Sequence, residues 1–127
     1  MSNFLKASRE EIKLQLRSVL LQNRQDIQVY EYVPERPSLP AFIIAPGAPY
    51  VTQGTAFCDF TTRFEVLVLA DKATNETSTD LLDQLVVETL DALDTWFIEE
   101  VEQPSQFEIN GALLLGTKIQ VQADKSL

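Results

Sequence analysis

Residues 57–70 alternate in polarity over the length of a long β-strand, and a strongly amphipathic segment follows them. The mostly apolar face of this predicted strand consists of Cys58, Phe60, Thr62, Phe64, Val66, Val68 and Ala70. The opposite face, with Phe57, Asp59, Thr61, Arg63 and Glu65, is polar for most of its length. Leu67 and Leu69 then make the end of the strand apolar on both sides. We therefore predict a long strand inside a packed domain, with Cys58 as a core residue of that strand.

The segment from about Thr79 to Ile98 has the periodicity of an α-helix that buries one side. Its apolar stripe, which we expect to be buried, consists of Leu82, Leu85, Val86, Leu90, Leu93 and Phe97. Trp96 lies at the edge of this stripe. The outer surface is predicted to be acidic and carries Asp83, Glu88, Asp91 and Asp94. A polar connection precedes the helix, and its cap candidates are Asn75, Thr77 and Ser78.

Another helix is predicted near the N-terminus, where Ser8 and Glu11 have the spacing of a capping box. The apolar residues that follow at helical spacing are Ile12, Leu16, Val19 and Leu20. Asn23 tolerates the left-handed conformation that is common at helix ends, so we expect the helix to end there. Residues 1–6 are expected to be frayed.

Between the two helices, shorter strands are predicted at residues 27–33 and 41–45, separated by a proline-rich linker. Pro46 and Gly47 are expected to end the second of these strands. The stretch from Pro46 to Thr55 is then predicted to be a protruding loop or a wide hairpin connection. Because loops carry many binding residues, we expect contacts there.

Near the C-terminus, Asn110-Gly111 is a strong signal for a two-residue turn. It predicts a hairpin between residues 107–109 and 112–115. A closing strand follows, on which Thr117, Ile119 and Val121 share a face. Residues 124–127 are expected to be frayed.

The predicted element order is α-β-β-β-α-β. With strands linked mostly as hairpins, this order predicts an α+β fold: a mostly antiparallel sheet with two helices packed on one face and room for a C-terminal hairpin. At 127 residues the chain has the length of one domain, and we predict a single domain over residues 1–127.

The residue types that common catalytic sites need are missing or scattered. The chain has no histidine and a single cysteine, so no Ser-His-Asp or Cys-His nucleophile can be built, and no glycine-rich phosphate-binding motif is present. The pairs Asp80/Asp83 and Asp91/Asp94 have helical spacing, but a solvated acidic surface explains them better than a cation site. We predict a protein that is not an enzyme and uses no cofactor and no metal.

The formal net charge of −9 disfavours anionic partners. Ten Lys and Arg against nineteen Asp and Glu predict that no basic stripe is available for nucleic-acid phosphates. Tyr30 and Tyr32 are therefore expected in the core or at a subunit interface rather than stacked on bases. The chain contains neither a signal-peptide core nor a membrane-length apolar run, so a soluble cytoplasmic protein is the default expectation.

Three segments and their order resemble a known protein family. They are Val29-Tyr30-Glu31-Tyr32-Val33-Pro34, Pro40-Ala41-Phe42-Ile43-Ile44, and Phe64-Glu65-Val66-Leu67-Val68-Leu69 before the long acidic helix. With this element order, which covers nearly the whole chain, the protein resembles the tail-terminator proteins of long-tailed bacteriophages. These are also called tail-completion or minor tail proteins.

The resemblance implies a structural virion protein at the neck, where head joins tail, that is assembled in the host cytoplasm. It implies a homo-oligomeric ring, typically a hexamer, that caps the last ring of tail-tube protein and stops polymerisation. The other face of the ring would meet the head-tail connector. DNA would pass through an acidic lumen without adhering, so neither sequence-specific nucleic acid nor a membrane is expected as a partner.

Two segments, residues 46–55 and 71–78, are the candidate contact surfaces, with Tyr50 as an aromatic anchor. The candidate interface residues are Pro46, Gly47, Pro49, Tyr50, Val51, Thr52, Gln53, Asp71, Lys72 and Asn75. Two other interpretations stay open. One is another phage neck protein, such as a head-completion protein or a connector adaptor, and the other is a non-enzymatic α+β module that binds a protein partner.

Overall fold

The computed structural model describes residues 3–23, 27–54, 57–72 and 75–126. Helix α1 (Phe4–Asn23) ends at the predicted residue. Ile12 and Leu16 are fully buried, as the predicted apolar stripe requires. The side chains of Val19 and Leu20, predicted for the same stripe, lie outside the described residues.

The start of α1 differs from the prediction. Asn3 caps the helix, because its Oδ1 accepts a hydrogen bond from the Lys6 amide at 3.0 Å. The Ser8 side chain is buried and its hydroxyl donates to the Phe4 carbonyl at 2.7 Å, so the predicted Ser8–Glu11 capping box is wrong. Residues 4–6, which were expected to be frayed, form the first turn of the helix.

Strand β1 (Gln28–Tyr30) is shorter than the predicted strand and pairs in parallel with the start of β2 (Ala41–Gln53). β2 is much longer than predicted, since it continues through Pro46 to Gln53 beside the next strand. The predicted loop over residues 46–55 is therefore wrong as far as Gln53, and Thr55 lies outside the described residues. A register shift between Pro46 and Val51 accommodates the two prolines without ending the strand.

Strand β3 (Asp59–Asp71) confirms the long alternating strand. The predicted core-facing residues that are buried are Thr62, Phe64, Val66, Val68 and Ala70. Cys58 is an exception: it lies exposed in the turn before β3, with a φ of 67°. The prediction of a core-strand cysteine is wrong, because the strand begins one residue after it.

Helix α2 (Glu76–Ala92) is capped by Asn75, whose side chain accepts a hydrogen bond from the Ser78 amide. The helix ends six residues before the predicted Ile98, and a strand that the sequence analysis missed, β4 (Phe97–Val101), follows. Trp96 lies in the turn between them and is buried rather than at the edge of a stripe.

Two residues of the predicted α2 stripe are not buried. Leu90 is 39% exposed because it lies on the flank of the helix, away from the buried Leu85 and Thr89. Phe97 is 64% exposed because it belongs to β4, where it pairs opposite Gln122 at the edge of the sheet. Both assignments to the buried stripe are wrong.

The predicted C-terminal hairpin is confirmed. Strand β5 (Ser105–Ile109) connects to β6 (Ala112–Ser126) through Asn110 and Gly111, which have φ values of 48° and 85°. Positive φ at both turn residues is what a tight type I′ hairpin turn requires. β6 includes the predicted closing strand and runs on to Ser126, so residues 124–126, which were expected to be frayed, are paired with β3.

The strands form one sheet in the order β1-β2-β3-β6-β4, with β5 also paired to β6. Every pair except β1 with β2 is antiparallel. The larger core joins one face of the sheet to both helices and includes Ile12, Leu16, Leu82, Leu85, Phe42, Phe64, Val66, Ile119 and Val121. The predicted α+β fold, with two helices on one face of a mostly antiparallel sheet, is confirmed.

The opposite face of the sheet has a smaller core at one end. Its buried members are Ile43, Leu69, Ile109 and Leu114. Leu39, from the connection between β1 and β2, packs against them. This second core explains why the sequence of β3 turns apolar on both faces at Leu67 and Leu69.

Candidate interaction surfaces

The first predicted contact segment forms an open edge of the sheet. β1 pairs only with residues 41–43 of β2, so from Pro46 onward β2 is an edge strand in the described part of the chain. Pro46 and Pro49 are exposed on this edge and have no amide hydrogen to donate. An edge built this way resists the addition of another strand, so contacts made here would use side chains.

Tyr50, the predicted aromatic anchor, contributes to the core as well. Its ring is half-buried and meets Phe64 edge-on, with 5.5 Å between the ring centroids. The Tyr50 carbonyl accepts a hydrogen bond from the Thr62 hydroxyl at 3.3 Å. Only part of the ring therefore remains available to a partner.

The second predicted segment surrounds the start of α2. The Asp71 carboxylate accepts hydrogen bonds from the Lys72 amide at 2.7 Å and from the Ser78 hydroxyl at 3.3 Å. Asn75 caps α2, as described above. Both side chains are thus committed to shaping the connection, while the exposed Lys72 side chain is available for contact.

The structure does not bring the two predicted segments together. Pro46 pairs with Phe64, whereas Asp71 ends the same strand. At about 3.3 Å per residue, these two points on β3 are about 23 Å apart. The segments therefore lie at opposite ends of β3 and form two separate surfaces.

Lys72 borders a cleft that the sequence analysis missed. The cleft has a volume of about 260 Å³ and is lined by Glu35, Arg36, Pro37, Lys72, Ile109, Asn110, Ala112 and Leu114. Asn110 closes one side by donating from Nδ2 to the Glu35 carbonyl at 2.7 Å. With an apolar floor and two exposed cations, Arg36 and Lys72, the cleft suits an acidic side chain of a partner. Its lining comes from three distant parts of the sequence, so no local pattern could predict it.

The tip of the β2–β3 hairpin presents a further surface. The Gly54 amide donates to the Asp59 carbonyl at 2.7 Å and closes the hairpin. Phe57, beyond this closure, is 97% exposed. An aromatic side chain displayed in this way is typical of an interface anchor. Phe57 was predicted to lie inside a strand, although Gly54 ahead of it was a turn signal.

On the face of the sheet opposite the helices, the region beyond the smaller core is polar. Its side chains form hydrogen bonds with one another. Arg63 donates to Glu99 at 3.2 Å and to Thr52 at 3.1 Å. Thr61 donates to Asp124 at 2.7 Å, in line with their pairing across β3 and β6. Because these groups satisfy one another, this face forms a stable polar surface rather than a set of free ligands.

Within the described residues, no group of three or more His, Cys, Asp or Glu side chains could hold a metal ion. None of the described helices is long and apolar enough to cross a membrane. No known protein-family model matches the chain, and a search of curated proteins also finds no match. The surfaces described above are therefore the basis for a functional proposal.

Proposed function

We propose that this chain is a structural protein of a long-tailed bacteriophage that caps the tail tube, ends its polymerisation and joins the tail to the head-neck connector. The proposal starts from the resemblance of residues 29–34, 40–44 and 64–69, and of the element order, to the tail-terminator family. The observed fold keeps that order and adds β4 and β5 on the outer side of β6.

The observation that carries the proposal is the separation of two unlike surfaces by the length of β3. At one end the hairpin tip displays Phe57, which is 97% exposed. At the other end Lys72 and Arg36 border the cleft. A cap needs one face that matches the tube and a different face that does not recruit another ring of tube protein. An apolar tip and a cationic cleft at opposite ends supply two such faces.

The proposed assembly is a ring of identical copies, a hexamer by analogy with the family. A ring requires that one patch of each copy meet a different patch on the next. The described surface carries unlike patches: at the sheet edges, for example, the outer half of β2 has Pro46 and Pro49, whereas β4 has Glu99 and Glu100. The net charge of −9 is compatible with DNA passing through the lumen without adhering.

Deletion of the gene from the phage that encodes it tests this function. We expect particles with overlong tails or tails without heads, because tube growth would have no stop and the joint would be missing. Complementation with the intact gene should restore normal particles, and electron microscopy of lysates would measure tail length in both cases.

Two outcomes would contradict the proposal. Tails of normal length beside heads that leak DNA would identify a head-completion protein or connector adaptor. Normal particles in normal numbers would leave a non-enzymatic interaction module as the better interpretation.

A further inference from the structure

Helix α1 carries a basic side. Lys6, Arg9, Lys13 and Arg17 are three, four and four residues apart, which places them on one side of the helix. They are four of the ten Lys and Arg residues of the chain. Glu10 lies among them, so this side has a net charge of +3. This local positive charge contrasts with the net charge of −9 of the whole chain.

Helix α2 carries the opposite charge. Its outer side displays the exposed residues Glu76, Asp80, Asp83 and Asp91. This acidic side points away from the buried Leu82 and Leu85, and α2 contains no Lys or Arg. The two charged sides have comparable lengths, about 16 Å on α1 and about 22 Å on α2, at 1.5 Å per helical residue.

An exposed apolar residue accompanies each charged side. Leu14 on α1 is 68% exposed, lies one turn from Arg17 and borders the basic side. Val87 on α2 is 65% exposed and lies between Asp83 and Asp91. A protein interface usually combines apolar contacts with a polar rim.

These charges form no ion pairs within the described part of the chain. The ion pairs among described residues join Arg63 to Glu99, Lys118 to Glu65 and Lys125 to Glu11. None of the four cations of the basic side, and none of the four carboxylates of the acidic side, forms an ion pair with another described residue. Both sides therefore remain available to a partner.

We propose that the basic side of α1 in one copy packs against the acidic side of α2 in the next copy, with Leu14 against Val87. The occupant of each surface is a second copy of this chain, because each side finds its complement in charge and length on the same molecule and has an exposed apolar residue in or beside it. The contact is head-to-tail, since the two surfaces differ, and so it is of the kind that generates rings or filaments. It also offsets the repulsion between copies that each carry a charge of −9.

This inference rests on the proposed function, in which identical copies form a ring, and it specifies which surfaces of neighbouring copies meet. DNA is the other anionic candidate for the basic side. A net charge of +3, with Glu10 among the cations and a strongly acidic molecule around it, favours the copy of the chain over DNA.

Charge reversal tests the contact. One variant carries Lys6→Glu and Lys13→Glu, and its partner variant carries Asp80→Lys and Asp83→Lys. We expect each alone to self-associate about tenfold or more weakly than the unchanged protein in sedimentation velocity. An equimolar mixture should recover association, because the unchanged basic side of one variant then meets the unchanged acidic side of the other. A control, Gln103→Glu with Ser105→Glu and Gln106→Glu, adds negative charge at exposed positions outside both helices and should associate more strongly than the α1 variant.

A cross-link that leaves the charges intact provides the second readout. In a Cys58→Ser background, a Leu14→Cys chain mixed with a Val87→Cys chain should form a mixed disulfide under oxidation, and neither chain alone should form a dimer. The yield should fall as NaCl rises from about 0.01 M to about 1 M, because the Debye length falls from about 30 Å to about 3 Å.

The proposal would be overturned by an absence of the mixed disulfide at about 0.1 mM protein and low salt, a concentration that reveals contacts with a Kd of that order. Association that is unchanged by both charge reversals, or binding of duplex DNA that is lost on reversal of α1, would also overturn it. Capping of tail tubes without the cross-link would leave the proposed function intact and refute this interface. Formation of the cross-link without capping of tail tubes would support this interface and refute the proposed function.

Discussion

The substitution Leu85→Asp should abolish the native fold. Leu85 is fully buried in the core that joins α2 to the sheet. A carboxylate at this position would be buried without a partner, at a cost of several kcal/mol. Since a domain of this size is stable by only about 5–15 kcal/mol, we expect the cooperative thermal transition in circular dichroism to be lost or greatly lowered.

Leu90→Asp is the matched control on the same helix. Leu90 is 39% exposed, so its carboxylate would remain hydrated, and we expect a change in stability within about 1 kcal/mol. A variant at Leu90 that unfolds while the variant at Leu85 melts normally would show that the buried side of α2 has been assigned wrongly.

The substitution Phe64→Ala should destabilise the protein by about 3–5 kcal/mol, the usual cost of emptying a buried phenylalanine site. Phe64 is fully buried between Tyr50 and Trp96, with ring centroids 5.5 Å and 5.8 Å away. Trp96 is the only tryptophan of the chain, so its fluorescence reports urea unfolding directly from this cluster.

Phe64→Leu keeps most of the volume and should cost much less, about 1.5 kcal/mol. Equal losses for alanine and leucine would indicate that the aromatic contacts, rather than the filled volume, stabilise this part of the core. A loss below about 1 kcal/mol for alanine would contradict the packing described here.

The elements that local patterns determine were predictable from the sequence. The alternation of Thr62, Phe64, Val66 and Val68 predicted the buried face of β3, because successive side chains of a strand point to opposite faces. Asn110-Gly111 predicted the β5–β6 hairpin, because both residues tolerate positive φ. Asn75 was likewise among the predicted caps of α2.

The errors occur where tertiary pairing overrides local signals. Pro46 and Pro49 predicted the end of a strand, yet β2 continues because β3 pairs along it and its other side, as an edge, needs no amide donors there. Phe97 continues the helical spacing of α2, since it follows Leu90 by seven residues, but pairing with β6 places it in a strand. The sequence pattern alone does not distinguish these outcomes.

Some candidate surfaces follow from local patterns in the sequence, and others depend on tertiary contacts. The acidic side of α2 was recognised from residue spacing and was interpreted as a solvated surface, and its residues are exposed. The basic side of α1 can be recognised from spacing in the same way. The exposed Phe57 and the cleft at Arg36 and Lys72 depend on where the hairpin closes and on how the β1–β2 connection packs. Such features arise from contacts between distant segments and are not visible in any one of them.

The most direct test of the proposed function is to add the purified protein to polymerising tail-tube protein of the same phage and to measure tube lengths by electron microscopy. We expect the mean length to fall as the ratio of this protein to tube protein rises, with the protein located at one end of each tube. The unfolded Leu85→Asp variant should leave the lengths unchanged. Tubes of the same length at every ratio, with no protein at either end, would contradict the capping function.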